Sequence, residues 1–120
     1  MSNSRSNPIV SKSYAFAIQI IKYCDELDSQ KKYILSKQLF RSGTSIGANV
    51  KEAQQAESRA DFIHKMKISL KEAEETEYWL MLCNDLEAYP DTKQLSEELT
   101  EIKKLLTSIV VTSKSRQKGH

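Results

Sequence analysis

Apolar residues recur along this chain at spacings of three and four in four segments separated by short polar stretches, a pattern that predicts four amphipathic helices. The first segment, from about Ile9 to Leu27, carries two apolar stripes: Val10, Tyr14, Ala17, Ile21 and Cys24, and beside it Phe16, Ile20, Tyr23 and Leu27. A helix apolar on two faces needs two partners. One stripe is expected to face the core of the chain, and Phe16, Ile20, Tyr23 and Leu27 are the candidate surface for a second subunit.

The second segment, from about Tyr33 to Ala56, presents Leu35, Leu39, Ile46, Val50 and Ala53 on one side. Its middle contains Gly43 and Gly47, each costing about 1 kcal/mol relative to Ala inside a helix. Positions 35, 39, 42, 46, 49/50 and 53 nevertheless keep one helical phase through both glycines, which a loop would destroy. A continuous helix is therefore predicted, with the glycines letting a neighbouring backbone come close.

The third segment opens at Ser58-Arg-Ala-Asp61, the spacing of a capping box with Asp in place of Glu or Gln. It continues through Phe62, Met66, Ser69/Leu70, Ala73, Leu80, Cys83 and Leu86 until Tyr89-Pro90-Asp91. The fourth starts near Asp91/Thr92 and shows Leu95, Leu99, Ile102, Leu106 and Ile109, the four-three spacing of a bundle seam. Residues 1–8 are expected to be disordered, 9–111 to form one bundle, and 112–120 to be a basic flexible tail. Four helices of about 18 to 26 residues with short connections predict an all-α, antiparallel up-down-up-down four-helix bundle roughly 30 Å long.

Composition agrees with this and narrows it. Among 120 residues there are three Gly and two Pro, and positions 9 to 89 hold no proline, which disfavours a turn-rich sandwich or barrel. No apolar run approaches the roughly 18 residues needed to span a bilayer, and the opening residues hold no apolar signal core, so a cytoplasmic protein without membrane contact is expected. Cys24 and Cys83 are too few and too far apart for a disulfide framework or metal site, and read as buried thiols.

The net charge is only +2, yet the charges are sorted. Residues 31–51 hold Lys31, Lys32, Lys37, Arg41 and Lys51 without one acid, whereas residues 72–91 hold seven acids without one base. Folding the chain up and down collects Lys51, Arg59, Lys65, Lys67, Lys103, Lys104, Lys114, Arg116 and Lys118 toward one end, with Arg5 and Lys12 beside them. Only Glu52, Glu57 and Asp61 oppose them there. The other end gathers Asp25, Glu26, Asp28, Asp85, Glu87, Asp91, Glu97 and Glu98, partly offset by Lys31, Lys32 and Lys93. A basic pole is the footprint of a phosphate-backbone binder, so the basic residues named for that end, together with Lys37 and Arg41, are the candidate nucleic-acid contacts. No base-reading motif accompanies them, so backbone and shape contacts are expected.

Catalytic constellations are not evident. Asp61 and His64 share a helical face, but a di-metal bundle needs a second acid–His pair and further inward carboxylates, so no metal or other cofactor is expected. Ser42, Thr44 and Ser45 have no histidine base in the same pattern, and Cys24 and Cys83 lie toward the acidic end, which disfavours a thiolate. Enzymatic activity is not expected. The polar stripe Gln38, Arg41, Ser45, Asn49 and Glu52, with Ser42 and Asn49 on the border of the apolar one, suggests tight helix packing with hydrogen bonds that select one register.

The string Gln38-Leu-x-Arg41-Ser42-x-x-Ser45-Ile46-x-x-Asn49-Val50-x-Glu52-Ala53 resembles the four-helix-bundle proteins encoded in intervening sequences of bacterial 23S ribosomal RNA genes, often described as ribosomal proteins. The accessory variability proteins of diversity-generating retroelements are similar. Phe16-Ala17, Phe62 and Ser69-Leu70-x-Glu72-x-Glu74 extend the resemblance over about residues 10–110. Lys67-Ile68 stands where the family often has small residues, and Ala53 where Gly is frequent. The resemblance implies a ring-like homopentamer without known catalysis, and, in the retroelement relatives, nucleic-acid binding and association with a reverse transcriptase. The expected function is thus a non-enzymatic homo-oligomer binding RNA or DNA through a basic surface; the alternative is a protein-interaction scaffold.

Overall fold

The computed structural model describes residues 7–118, so residues 1–6 of the expected N-terminal segment and the tail residues 119–120 lie outside the described residues. Within them the chain is all-α, with α1 at Pro8–Ser29, α2 at Tyr33–Ala53, α3 at Arg59–Asp85 and α4 at Lys93–Lys118, and no strand. α3 has 27 residues, about 40 Å at 1.5 Å per residue, which makes the 53 × 25 × 20 Å molecule longer than the sequence suggested. No helix of the described residues is long and apolar enough to cross a membrane.

Local chemistry sets the helix ends. Pro8 occupies the first turn of α1, where its missing N–H is no loss. α1 stops at a left-handed residue, Lys31 (φ 62°), with Lys32 N–H donating to the Leu27 carbonyl at 2.9 Å and Lys31 N–H to that of Asp28 at 3.0 Å. That is a Schellman turn built on lysine instead of glycine. α3 starts as expected: the Asp61 N–H donates to Ser58 Oγ at 3.0 Å. α3 ends at Asp85, and Tyr23 on α1 pins the following connection by donating its hydroxyl to the Pro90 carbonyl at 2.8 Å.

Each helix packs on the next, and α4 closes against α1. Across α1 and α2 the meeting pairs are Asn7 with Gln54, Ser13 with Gly47, Ile20 with Gly43 and Cys24 with Ser36, rising on one helix as they fall on the other. Across α2 and α3 they are Glu52 with Lys65, Ile46 with Ser69 and Ser42 with Thr76. The predicted continuity of α2 through both glycines holds. A Cβ on Gly43 would stand 2.9 Å from two Ile20 side-chain carbons, and one on Gly47 3.2 Å from the Ser13 carbonyl oxygen. The two glycines are therefore the points where α1 approaches α2.

Two expectations are corrected. Phe16, Ile20, Tyr23 and Leu27 are not a subunit surface: they are 1, 0, 7 and 0% exposed and belong to the core with Leu39, Ile46, Met66, Leu80, Leu99 and Leu106. α1 lies against both α2 and α4, so this stripe is consumed inside the chain, and on the other flank Tyr14 and Ile18 are left exposed. Second, the basic tail assigned to 112–120 is helical through Lys118. Ser113 takes the seam position after Leu106 and Val110 and is only 8% exposed, so the helical phase continues where apolar residues run out.

Small hydroxyls fill several interior positions. Ser13, Ser36, Ser42, Ser69 and Thr76 are buried on α1, α2 and α3. Ser69 Oγ donates to the Ile46 carbonyl at 2.8 Å and Ser36 Oγ to that of Cys24 at 3.3 Å, tying neighbouring helices by side chain to backbone. Hydroxyls at these seams keep the helices close, whereas larger apolar side chains would push them apart.

Candidate nucleic-acid interface

The start of α3 and the end of α4 form a groove of about 520 Å³ lined by Arg59, Phe62, Ser108, Ile109, Thr112, Ser113 and Arg116. Arg59 and Arg116 are exposed, come from different helices, and have no carboxylate partner among the described residues. Phe62 and Ile109 are partly buried against the core and give the groove an apolar floor. No acidic side chain lines it. A second groove of about 500 Å³ continues along the same two helices through Ser108, with Thr107, Thr100, Lys104 and Lys103 on its wall and Glu77 at its edge.

The other basic candidates divide into two groups. Lys51, Lys67, Lys104 and Lys114 are exposed with no ion pair among the described residues; the side chain of Lys118 lies outside the described ones. Arg41, Lys65 and Lys103 are matched by acids. Arg41 bridges Glu72 at 3.2 Å and Glu75 on α3, Lys65 meets Glu52 at 3.0 Å, and Lys103 meets Glu77 at 2.8 Å and Glu74 at 3.3 Å. These pairs set mid-helix bases against the acidic run of α3, and the expectation that Lys103 joins the basic end is corrected: it sits beside the middle of α3. Lys37 follows Ser36, which meets Cys24 on the late part of α1, so it lies away from the basic end.

Electrostatics follow from these pairs. The hydrogen bond from Arg41 holds the Glu75 carboxyl below its ordinary value, with Trp79 Nε1 donating to the same carboxylate at 3.1 Å. Glu52 raises Lys65. Burial alone would lower Lys103, but hydrogen bonds from its ammonium to Glu77 and Glu74 outweigh it and raise the value. At the opposite end Glu26, Asp91 and Glu98 line one cleft with Lys22, and Asp85, Asp91 and Glu97 another with Lys93, so acids outnumber bases there as the sequence suggested.

Cys24 and Cys83 are buried. Burial pushes the Cys24 thiol up to about 11, with Asp28 and Asp25 adding to the effect against the Ser36 hydrogen bond that lowers it. Burial likewise raises Cys83, and both raises Tyr23 beyond its usual range and keeps it a neutral donor to Pro90. Burial of this kind disfavours the thiolate that nucleophilic chemistry needs. His64 is exposed on α3.

The polar stripe of α2 works partly as expected. Arg41, Ser42 and Glu52 reach α3. Ser45 Oγ and Asn49 Nδ2 instead donate to carbonyls of their own helix, those of Arg41 at 2.5 Å and Ser45 at 2.9 Å. Sequence reasoning missed the α4 wall of the groove, Ser108, Ile109, Thr112 and Ser113. The available signal was the phase running from Leu106 through Val110 to Ser113, with Arg116 three residues further on.

Comparison with known proteins follows the same architecture. No curated protein matches this chain. A solved structure of a protein of unknown function from the S23 ribosomal protein family of Bacteroides thetaiotaomicron VPI-5482 is 50% identical, covers 85% of this chain and 97% of its own, and superposes with a TM-score of 0.80. The profile of the 23S rRNA-intervening sequence proteins matches residues 5–108. This chain therefore belongs to the 23S rRNA-intervening sequence protein family.

Proposed function

We propose that this chain is a non-enzymatic, up-down-up-down four-helix bundle that works as a homo-oligomer and binds RNA or DNA through the basic end of the molecule. The observation carrying the nucleic-acid reading is the groove between α3 and α4. Two guanidiniums from separate helices flank it, hydroxyls line it, and no carboxylate is among its lining residues. Such a surface contacts sugar and phosphate without reading sequence. Lys51, Lys67 and Lys114 extend the positive surface with exposed ammonium groups that have no ion pair among the described residues.

The bundle order is supported by the residue pairs that rise on one helix as they fall on the next. Tyr14 and Ile18, one turn apart and 69 and 38% exposed, are the α1 positions that a subunit contact would cover, in place of the buried stripe. A ring of five is the assembly that the resemblance implies, and light scattering of the purified protein measures it.

The test of the main reading is retention of radiolabelled structured RNA on a filter by the purified protein at low ionic strength. Retention that falls as salt rises supports it; no retention at any salt concentration overturns it. A nuclease-resistant stoichiometric protein partner, recovered with no nucleic-acid binding, would favour the scaffold alternative.

A further inference from the structure

We propose that the groove between the start of α3 and the end of α4 is a pocket for one unpaired nucleotide. The base lies on Phe62 and Ile109, and the phosphate is held between Arg59 and Arg116. The inference rests on the nucleic-acid reading above and goes further, naming single strands as the ligand and the base as the part that enters.

The groove's size, floor and polar rim each point the same way. Its volume of about 520 Å³ falls within the range of small-ligand sites, roughly 300–1,000 Å³. A site that met only duplex phosphates would need no apolar floor. Here an aromatic ring and a branched aliphatic side chain face the cavity between two arginines, the combination on which splayed bases stack. The bases of a duplex are paired and stacked, so its backbone could touch Arg59 and Arg116 without reaching Phe62.

Ser108, Thr112 and Ser113 put hydroxyls along the groove. A hydroxyl there can exchange hydrogen bonds with a sugar or a base edge. The strand also has a path out, because Ser108 is shared with the adjoining groove, where Lys104 and Thr107 can meet the next phosphate.

Fluorescence anisotropy tests this with labelled oligouridine, oligodeoxythymidine and a duplex of matched charge at low ionic strength. The single strands should bind about tenfold tighter than the duplex. Phe62→Leu keeps the apolar packing but removes the ring, and should lower single-strand affinity by about tenfold while leaving the duplex unchanged. Arg59→Gln and Arg116→Gln should weaken both ligands, and Lys93→Gln at the far end neither. A preference for RNA supports a contact to the 2′-hydroxyl; equal affinity supports phosphate and base recognition alone.

Photocrosslinking of 5-iodouridine to the unmodified protein reads the same site without a variant, the adduct falling on the peptide that holds Phe62. Equal affinity for strand and duplex, or adducts only elsewhere, overturns the pocket and leaves the general nucleic-acid reading standing. Absence of any binding overturns both.

Discussion

The hydroxyls of Ser42 on α2 and Thr76 on α3 meet at 2.9 Å in the interior, each on a residue with no solvent exposure. Thr76 Oγ1 also lies 2.8 Å from the Glu72 carbonyl, and one hydroxyl has one proton to give. The consistent arrangement has Thr76 donating to Glu72 and Ser42 donating to Thr76. Thr76→Val then removes the acceptor that the buried Ser42 hydroxyl uses and should cost about 1–3 kcal/mol, whereas Ser42→Ala leaves Thr76 bonded to Glu72 and should cost less. Urea unfolding midpoints of both variants and of the double variant check this. Additive losses in the double variant would contradict the coupling.

Gly43 sits where α1 is nearest, so Gly43→Ala sets two effects against each other. Helix propensity favours Ala by about 1 kcal/mol. The new Cβ would stand 2.9 Å from both Ile20 Cγ1 and Cγ2, which are close to the branch of a fully buried side chain, and overpacking costs about 1–3 kcal/mol. Steric crowding wins, and thermal denaturation should show Gly43→Ala below the unmodified protein. A raised Tm would mean that α1 and α2 can separate at no cost.

Lys31 ends α1 in the left-handed region, a conformation that costs an L-residue about 1–2 kcal/mol and glycine far less. Its side chain is exposed. Lys31→Gly should therefore raise stability by about 0.5–1 kcal/mol even though it removes a side chain, a sign that distinguishes backbone relief from lost contact. Chemical denaturation measures it, and a loss of stability would contradict the turn geometry.

The Arg41–Glu75 pair gives a defined pH dependence. Arg41 holds the folded Glu75 below its unfolded value of about 4.3, so the pair contributes stability above that pH and loses it as pH falls through the lower, folded value. With side chains 48 and 37% exposed, solvent screening limits the pair to about 0.2–1 kcal/mol. Glu75→Gln should thus destabilise at pH 7 and make no difference at strongly acidic pH, measured by urea unfolding at both. An equal penalty at the two pH values would contradict the assignment.

These elements differ in how far the sequence alone reveals them. Helix number and the continuity of α2 were legible, because apolar phase is a local property that survives Gly43 and Gly47. Which stripe of α1 faces inward was not. Phe16 and Tyr14 belong to stripes of similar apolarity, and the choice depends on α4 lying against the Phe16 side, a tertiary fact. The reach of α4 past residue 111 was missed because Ser113, a small hydroxyl, holds a core position where apolar residues end. Charge sorting was read correctly at the far ends, where whole runs of like sign collect. It failed at Lys103 and Lys12, since only the register of α4 against α3 and α1 reveals that Glu74 and Glu77 partner the first and Glu101 the second.

The most direct test of the proposed function is the salt dependence of affinity for a short single-stranded RNA, taken from low to physiological ionic strength. The account predicts that log affinity falls linearly with log salt, by about 0.7 per phosphate contacted, and that Arg59→Gln with Arg116→Gln, which frees the one phosphate held between them, makes that slope shallower by about 0.7. Affinity that does not change with salt, or a slope unaltered in the double variant, would contradict it.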